Sequence, residues 1–177
     1  MKALTIWQPW ASLIIAGAKP YEFRGWRAPR SMIGQRIVIH AAAHKIDRDE
    51  AIQLWTILMD RDCSEILGID AGDLAEAAAE TCLIPERAIP ILQRVIMSRI
   101  EPLPMACGLG TALLGEPRIG TDIAEEFGVP RANDSDRDEH ANWGWPLTDI
   151  EVWPEPIPMR GAQGFWNWPT AEQEFPA

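Results

Sequence analysis

The chain has 177 residues, 47% of them apolar and 24% charged, with a net charge of −10. That is long enough to bury a sizeable core in one domain, and too acidic for a broad polyanion-binding surface. No apolar run approaches the ~18 residues that span a membrane. Thr5, Gln8 and Pro9 break any signal-like segment near the start, so the expectation is one cytoplasmic domain over residues 1–177, with no membrane partner.

The net charge hides an asymmetry. Residues 1–48 hold eight Lys or Arg and two acids, a net +6, which leaves −16 for the remainder. A basic patch on an acidic body attracts phosphate in one place and repels it elsewhere. A solvated basic edge that pairs with the acidic remainder is the simpler account of the same residues. Cys63, Cys82 and Cys107 form no CxxC pair and no even framework, which fits reduced, buried thiols.

In chain order, residues 3–8 alternate as a short strand. Pro9 suits the opening of a helix. Trp10, Leu13 and Ile14 follow at helical spacing, and Gly17 stands where a C-cap belongs. The period then switches. Tyr21 and Phe23 alternate with Glu22 and Arg24, as in a half-buried strand over residues 20–26, which puts Glu22 and Arg24 on one face. A third strand is expected from Arg36 to Ala41. Asp47 with Glu50 resembles a capping pair, opening a helix whose apolar positions are Ile52, Trp55 and Met59. Residues 64–80 look helical. From Thr81 to Pro104 prolines interrupt the pattern, and Ile91 to Ile100 fits helix or strand. Residues 107–119 read as one glycine-bearing strand, and Thr121 as the cap of a short helix to Phe127. Residues 131–141 read as an acidic loop, Trp143 to Trp153 as a strand, residues 154–163 as a proline-bearing link, and residues 164–168 as the closing strand. Strands at both ends with helices between them fit a closed or nearly closed barrel better than a doubly wound sheet.

The chemistry-bearing residues concentrate early. Lys19, Glu22 and Arg24 fall within six residues. A lysine on a cleft wall holds a phosphate or, desolvated, acts as a base. Glu22 can orient that lysine or accept from a base amino group. Arg24 offers a planar donor fork. A charged staple between helix and strand would use the same three residues. Nine tryptophans stand against one tyrosine. Most belong in a core, but Trp26, between Gly25 and Arg27, is the best placed to stack on a base. Gln8, flanked by Trp7 and Trp10, lies near the same site. Arg27 and Arg30 extend its basic side, and His40 is expected as a polar group at the barrel mouth. His40 and His44 are four apart, but His40 ends a strand-like run and no thiolate or HExxH completes a metal site. Asp134, Asp136 and Asp138 imitate a calcium loop, yet its sixth and twelfth positions are Glu139 and Trp145. Gly108, Gly110 and Gly115 make no phosphate-binding fingerprint. No metal or cofactor is expected.

Three segments together carry a resemblance. The first is Leu4 to Ala41, containing Gly17-x-Lys19-x-x-Glu22-x-Arg24. The second is the Gly-Thr-Ala-Leu-Leu-Gly strand at 110–115. The third runs from Trp143-Gly144-Trp145 through Ile157-Pro158-Met159-Arg160-Gly161 to Gly164-Phe165-Trp166. In this order they resemble the ASCH family, named for homology to the activating signal cointegrator. The resemblance implies an α+β fold: a PUA-like pseudo β-barrel of about five to six strands with inserted helices. Residues of about 47–105 form a longer helical insertion than the family pattern requires. The family is associated with RNA or nucleotide ligands. The implied partner is therefore RNA or another single-stranded nucleic acid, modified or not, or a nucleotide-like ligand. Its implied contacts are Gln8, Trp10, Lys19, Glu22, Arg24, Trp26, Arg27, Arg30 and His40.

A branch of the same superfamily has Lys-x-x-Thr at this motif and hydrolyses acylated cytidine through the threonine. Here Glu22 replaces that threonine, and the mixed anhydride a carboxylate would form is labile. Lys19 and Glu22 could still activate water, so a hydrolase of a modified cytidine, or a ribonuclease, stands as the second reading. A protein-interaction module with an acidic exterior is the third.

Overall fold

A computed structural model describes residues 1–59, 82–98, 103–128 and 142–169. The elements in order are β1 (Lys2–Ile6), α1 (Trp10–Ile15), β2 (Tyr21–Arg24), a 3-10 turn (Arg30–Met32), β3 (Arg36–Ala41), α2 (Arg48–Leu58), α3 (Pro85–Met97), β4 (Cys107–Leu114), β5 (Arg118–Ile119), α4 (Gly120–Phe127), β6 (Trp143–Pro158) and β7 (Phe165–Asn167). The expected helix at 64–80, the acidic loop at 131–141 and Cys63 lie outside the described residues.

The strands form one mixed sheet in the order β2-β6-β4-β3-β1-β7, with the short β5 beside β6. β1 and β3 run parallel, with Lys2 opposite Ile37 and Ile6 opposite Ala41; the other pairs are antiparallel. The register shifts between Ile39 and His40 on β3, and twice along β4 and β6. Shifts of this kind bend strands and deepen their twist, and they curl the sheet into a half-barrel.

α1 lies between two apolar layers. Ala11 and Ile14 pack with Leu4, Ile39, Leu114 and Trp145 of the sheet. Leu13, with Ala18 just beyond the helix, packs against Leu54 of α2 and Ala88, Leu92 and Val95 of α3. The helix ends at Ala16, and Gly17 takes φ +67, the left-handed conformation that a glycine adopts without strain. The amides of Ala18 and Lys19 then return to the Leu13 carbonyl. That turn fixes where Lys19 leaves the helix.

Several expectations need correcting. β2 is buried on both faces: Tyr21, Glu22 and Phe23 are all covered, because α4 closes over Tyr21 and Phe23. On α2, Asp47 does accept from the Asp49 and Glu50 amides, but the buried positions are Ala51, Leu54 and Thr56, while Ile52 is exposed. Trp55 is half-buried against the same cluster as Ala51 and Leu54, so contact with α3 takes up the 51/54/55 face and leaves Ile52 outside. Pro85 to Met97 is helical despite Pro90 inside it. Residues 107–119 are two strands. Thr121 is not the cap of α4: Ile119 holds that position with no side-chain bond. β6 continues to Pro158, into the proline-bearing link expected over residues 154–163.

Candidate functional site

The turn after Gly17 delivers Lys19 into the protein, where it is 2% exposed. An ammonium taken out of water costs several kcal/mol unless it is paired and hydrogen-bonded. Lys19 Nζ donates to the Tyr21 carbonyl at 2.7 Å and lies 3.4 Å from Glu22 Oε2. Beneath it are two aromatic rings, Trp10 at 5.5 Å and Phe23 at 5.1 Å from their centroids, which adds cation–π attraction in a desolvated place.

Glu22 is also buried. Its second oxygen, Oε1, meets Arg24 Nη2 at 2.8 Å. The two residues share a face of β2 because strand side chains alternate, as their spacing predicts. Lys19, Glu22 and Arg24 thus form a ladder with one carboxylate between two cations. The Arg24 side chain, one third exposed, is the ladder's open end. Its guanidinium lies 5.9 Å from the Trp145 ring, and its Nε is buried with no partner among the described residues.

Trp145 anchors this end. It is fully buried, stacks on Phe165 and meets Trp26 edge-to-face at 4.7 Å. Its Nε1–H donates to the Trp26 carbonyl. Trp26 itself is 48% exposed, so the ring that packs on Trp145 also faces water. Trp10, Lys19, Glu22, Arg24, Trp145 and Trp26 therefore make one continuous run of contacts.

The other candidates stand around this run with different partners. Arg27 pairs with Glu116 and lies over the Trp143 ring. Arg30 is exposed at the start of the 3-10 turn. Gln8 is buried; its amide N–H donates to the Pro104 carbonyl at 2.7 Å, and its carbonyl accepts from the Ser12 amide. Those bonds tie the entry of α1 to the segment before β4. His40 is 1% exposed, and its Nε2–H donates to the Met159 carbonyl. Around it are Trp166, Trp168 and Gly161, where an added Cβ would sit 2.5 Å from His40 Cε1. Its Nδ1 has no partner among the described residues, and burial lowers its pKa.

Two participants were not visible from the motif. Trp145 lies far along the chain and reaches the ladder because β6 pairs with β2, Glu22 opposite Trp145. The Tyr21 hydroxyl accepts from Arg118 and donates to Glu126, which fastens β5 and α4 to the strand whose carbonyl holds Lys19. Burial first, and the Glu126 carboxylate next, push this phenol above its ordinary range. The Trp-Gly-Trp spacing at 143–145 was the one available signal for Trp145.

A curled mixed half-barrel of seven strands with helices packed on it, carrying this ladder at the turn from its first helix into a strand, defines a PUA-like α+β protein. The ASCH domain model matches residues 4–98, more than half of the chain and all of the ladder, and the chain belongs to the ASCH domain family. No curated protein matches it. No helix among the described residues is long and apolar enough to cross a membrane.

Proposed function

We propose that this protein binds single-stranded or modified RNA, or its nucleotides, at the Gly-x-Lys-x-x-Glu-x-Arg segment. The observation that carries this reading is the ladder with an open end. Lys19 and Glu22 are buried and fixed, while the Arg24 side chain is one third exposed, its Nε buried with no partner among the described residues, and Trp26 lies beyond it. An arginine held in place by a carboxylate presents its remaining donors to a phosphate or base edge at small entropic cost. A neighbouring exposed indole supplies the face on which a base stacks. Unpaired bases reach such a site, whereas a duplex would first have to flip one out. Membership of a family associated with RNA and nucleotide ligands supports the same reading.

Hydrolysis ranks second for a physical reason. Lys19 Nζ faces a carbonyl and a carboxylate. Both are acceptors, which suits Lys19 as a cation and donor rather than as a base. Both Glu22 oxygens are engaged by cations, so activating a water would mean leaving one of them.

The test is binding of short single-stranded RNA by fluorescence anisotropy at low salt. Arg24→Ala and Trp26→Ala, both partly exposed positions, are expected to weaken it by about 1–3 kcal/mol each. Absence of binding by the intact protein removes the proposal. Turnover of acylated cytidine or RNA that vanishes in folded Lys19→Ala and Glu22→Ala variants would put the hydrolase first.

A further inference from the structure

Trp7 and His44 have no part in the ladder, yet they form an ordered surface feature. Trp7 is 59% exposed, more than any other tryptophan among the described residues. Its ring lies face to face with His44, centroids 4.2 Å apart and planes 4° from parallel. The His44 ring is held in turn, since its Nδ1–H donates to the Lys45 carbonyl at 2.8 Å. Both residues follow the ends of neighbouring parallel strands, β1 and β3, where the Ala42 amide bonds the Ile6 carbonyl. The Trp7 carbonyl accepts from the Ala11 amide, so the backbone beneath the indole is pinned to the first turn of α1.

Core packing does not account for the pair, because neither ring belongs to an apolar cluster. With His44 on one face and more than half of its area in water, the indole keeps its other face open. A held, flat, exposed ring is the surface on which an unpaired base stacks, and the stack is tolerant of base identity. The local charge suits a nucleic-acid strand: exposed Lys45 makes no ion pair among the described residues, and residues 1–48 are the basic part of an acidic chain. The platform is also close to the ladder. Trp7 precedes Trp10 by three positions, so their Cα atoms are at most about 11 Å apart, and the Trp10 ring lies under Lys19.

We propose that Trp7 and His44 form a second subsite, a stacking platform for an unpaired base of the same strand that engages the ladder. This rests on the RNA-binding reading above. The experiment measures dissociation constants of the intact protein for single-stranded RNA of one to six nucleotides, and for six-nucleotide strands carrying one abasic position in turn. In the unsubstituted protein one abasic position, apart from the one nearest the ladder, is expected to weaken binding about 5- to 150-fold. Trp7→Ala is expected to lose a similar factor on the intact strand and become indifferent to that abasic position. Trp7→Phe should retain most of the affinity, and circular dichroism should be unchanged for both. Arg24→Ala should lose affinity at every length, single nucleotides included. If Trp7→Ala binds the intact six-nucleotide strand as tightly as the unsubstituted protein, or loses equally on intact and abasic strands, the platform is wrong while RNA binding stands. If the unsubstituted protein binds no strand at all, both readings fall.

Discussion

Glu22 has two tasks at once, and they predict its behaviour. It neutralises a buried lysine and orients a half-open arginine. Removing the carboxylate leaves Lys19 buried beside two aromatic rings without its counter-ion, and breaking a buried pair from one side costs about 3–5 kcal/mol. Glu22→Ala is therefore expected to lower the urea midpoint by an amount worth about 3 kcal/mol, with an unchanged m-value. Arg24→Ala, at the exposed end, should cost much less. His40 gives a second prediction at this scale. Burial lowers its pKa below the ordinary 6.5, the Met159 bond opposing, so the fold holds the ring neutral. The unfolded chain takes up the proton first as pH falls. The stabilisation from His40 is thus complete above pH 6.5 and is lost as pH drops through the lowered folded value. His40→Gln can still donate to Met159 but does not titrate. Its stability should fall less steeply than that of the unsubstituted protein as pH drops below 6.5, measured by chemical denaturation at a series of pH values.

Among the elements, close approach of backbones makes the clearest demand. A Cβ on Gly110 of β4 would lie 2.3 Å from the Glu151 carbonyl oxygen of β6. That neighbour is backbone and cannot rotate away. Gly110→Ala is expected to destabilise by about 1–3 kcal/mol through displaced strand pairing, again read from the urea midpoint. At the start of α2, Asp47→Ala removes two accepted bonds and should cost about 1 kcal/mol. The elements differed in how far the sequence disclosed them. β3 was legible to its ends because its β-branched run is bounded by Gly34 and by the polar residues after Ala43. The Asp47 cap was legible because it is local chemistry. The buried face of α2 was not, since it depends on α3, and no pattern within α2 sets Ala51 and Leu54 apart from Ile52. The length of β6 was hidden by Pro154, Pro156 and Pro158. Such residues read as a link, yet a strand tolerates them wherever no neighbour needs their missing N–H.

For the whole molecule, charge distribution sets the expected salt dependence. The basic part is small, and Arg27, Arg36 and Arg118 are already paired with acids. Only about three to four phosphates can be neutralised, which gives a log–log slope of about −2 to −3 for single-stranded RNA. Trp26→Ala should shift the line without tilting it, because stacking releases no counterions. The ladder was legible in the sequence because its members are close together, and strand alternation alone puts Glu22 and Arg24 on one face. Trp145 and the Arg118–Glu126 clamp on Tyr21 were not, because they arrive through pairing between distant segments. The same long-range pairing governs the order in which the protein can assemble. β1, which leads directly into α1 and the ladder, pairs with residues 36–41 on one edge and with residues 165–167 on the other. During synthesis the first edge is covered early. The second stays unpaired until nearly the whole described chain has emerged. A nascent chain therefore carries an open strand edge beside its binding segment for most of its synthesis, a hazard for edge-to-edge association. The three residues of β7 close it last.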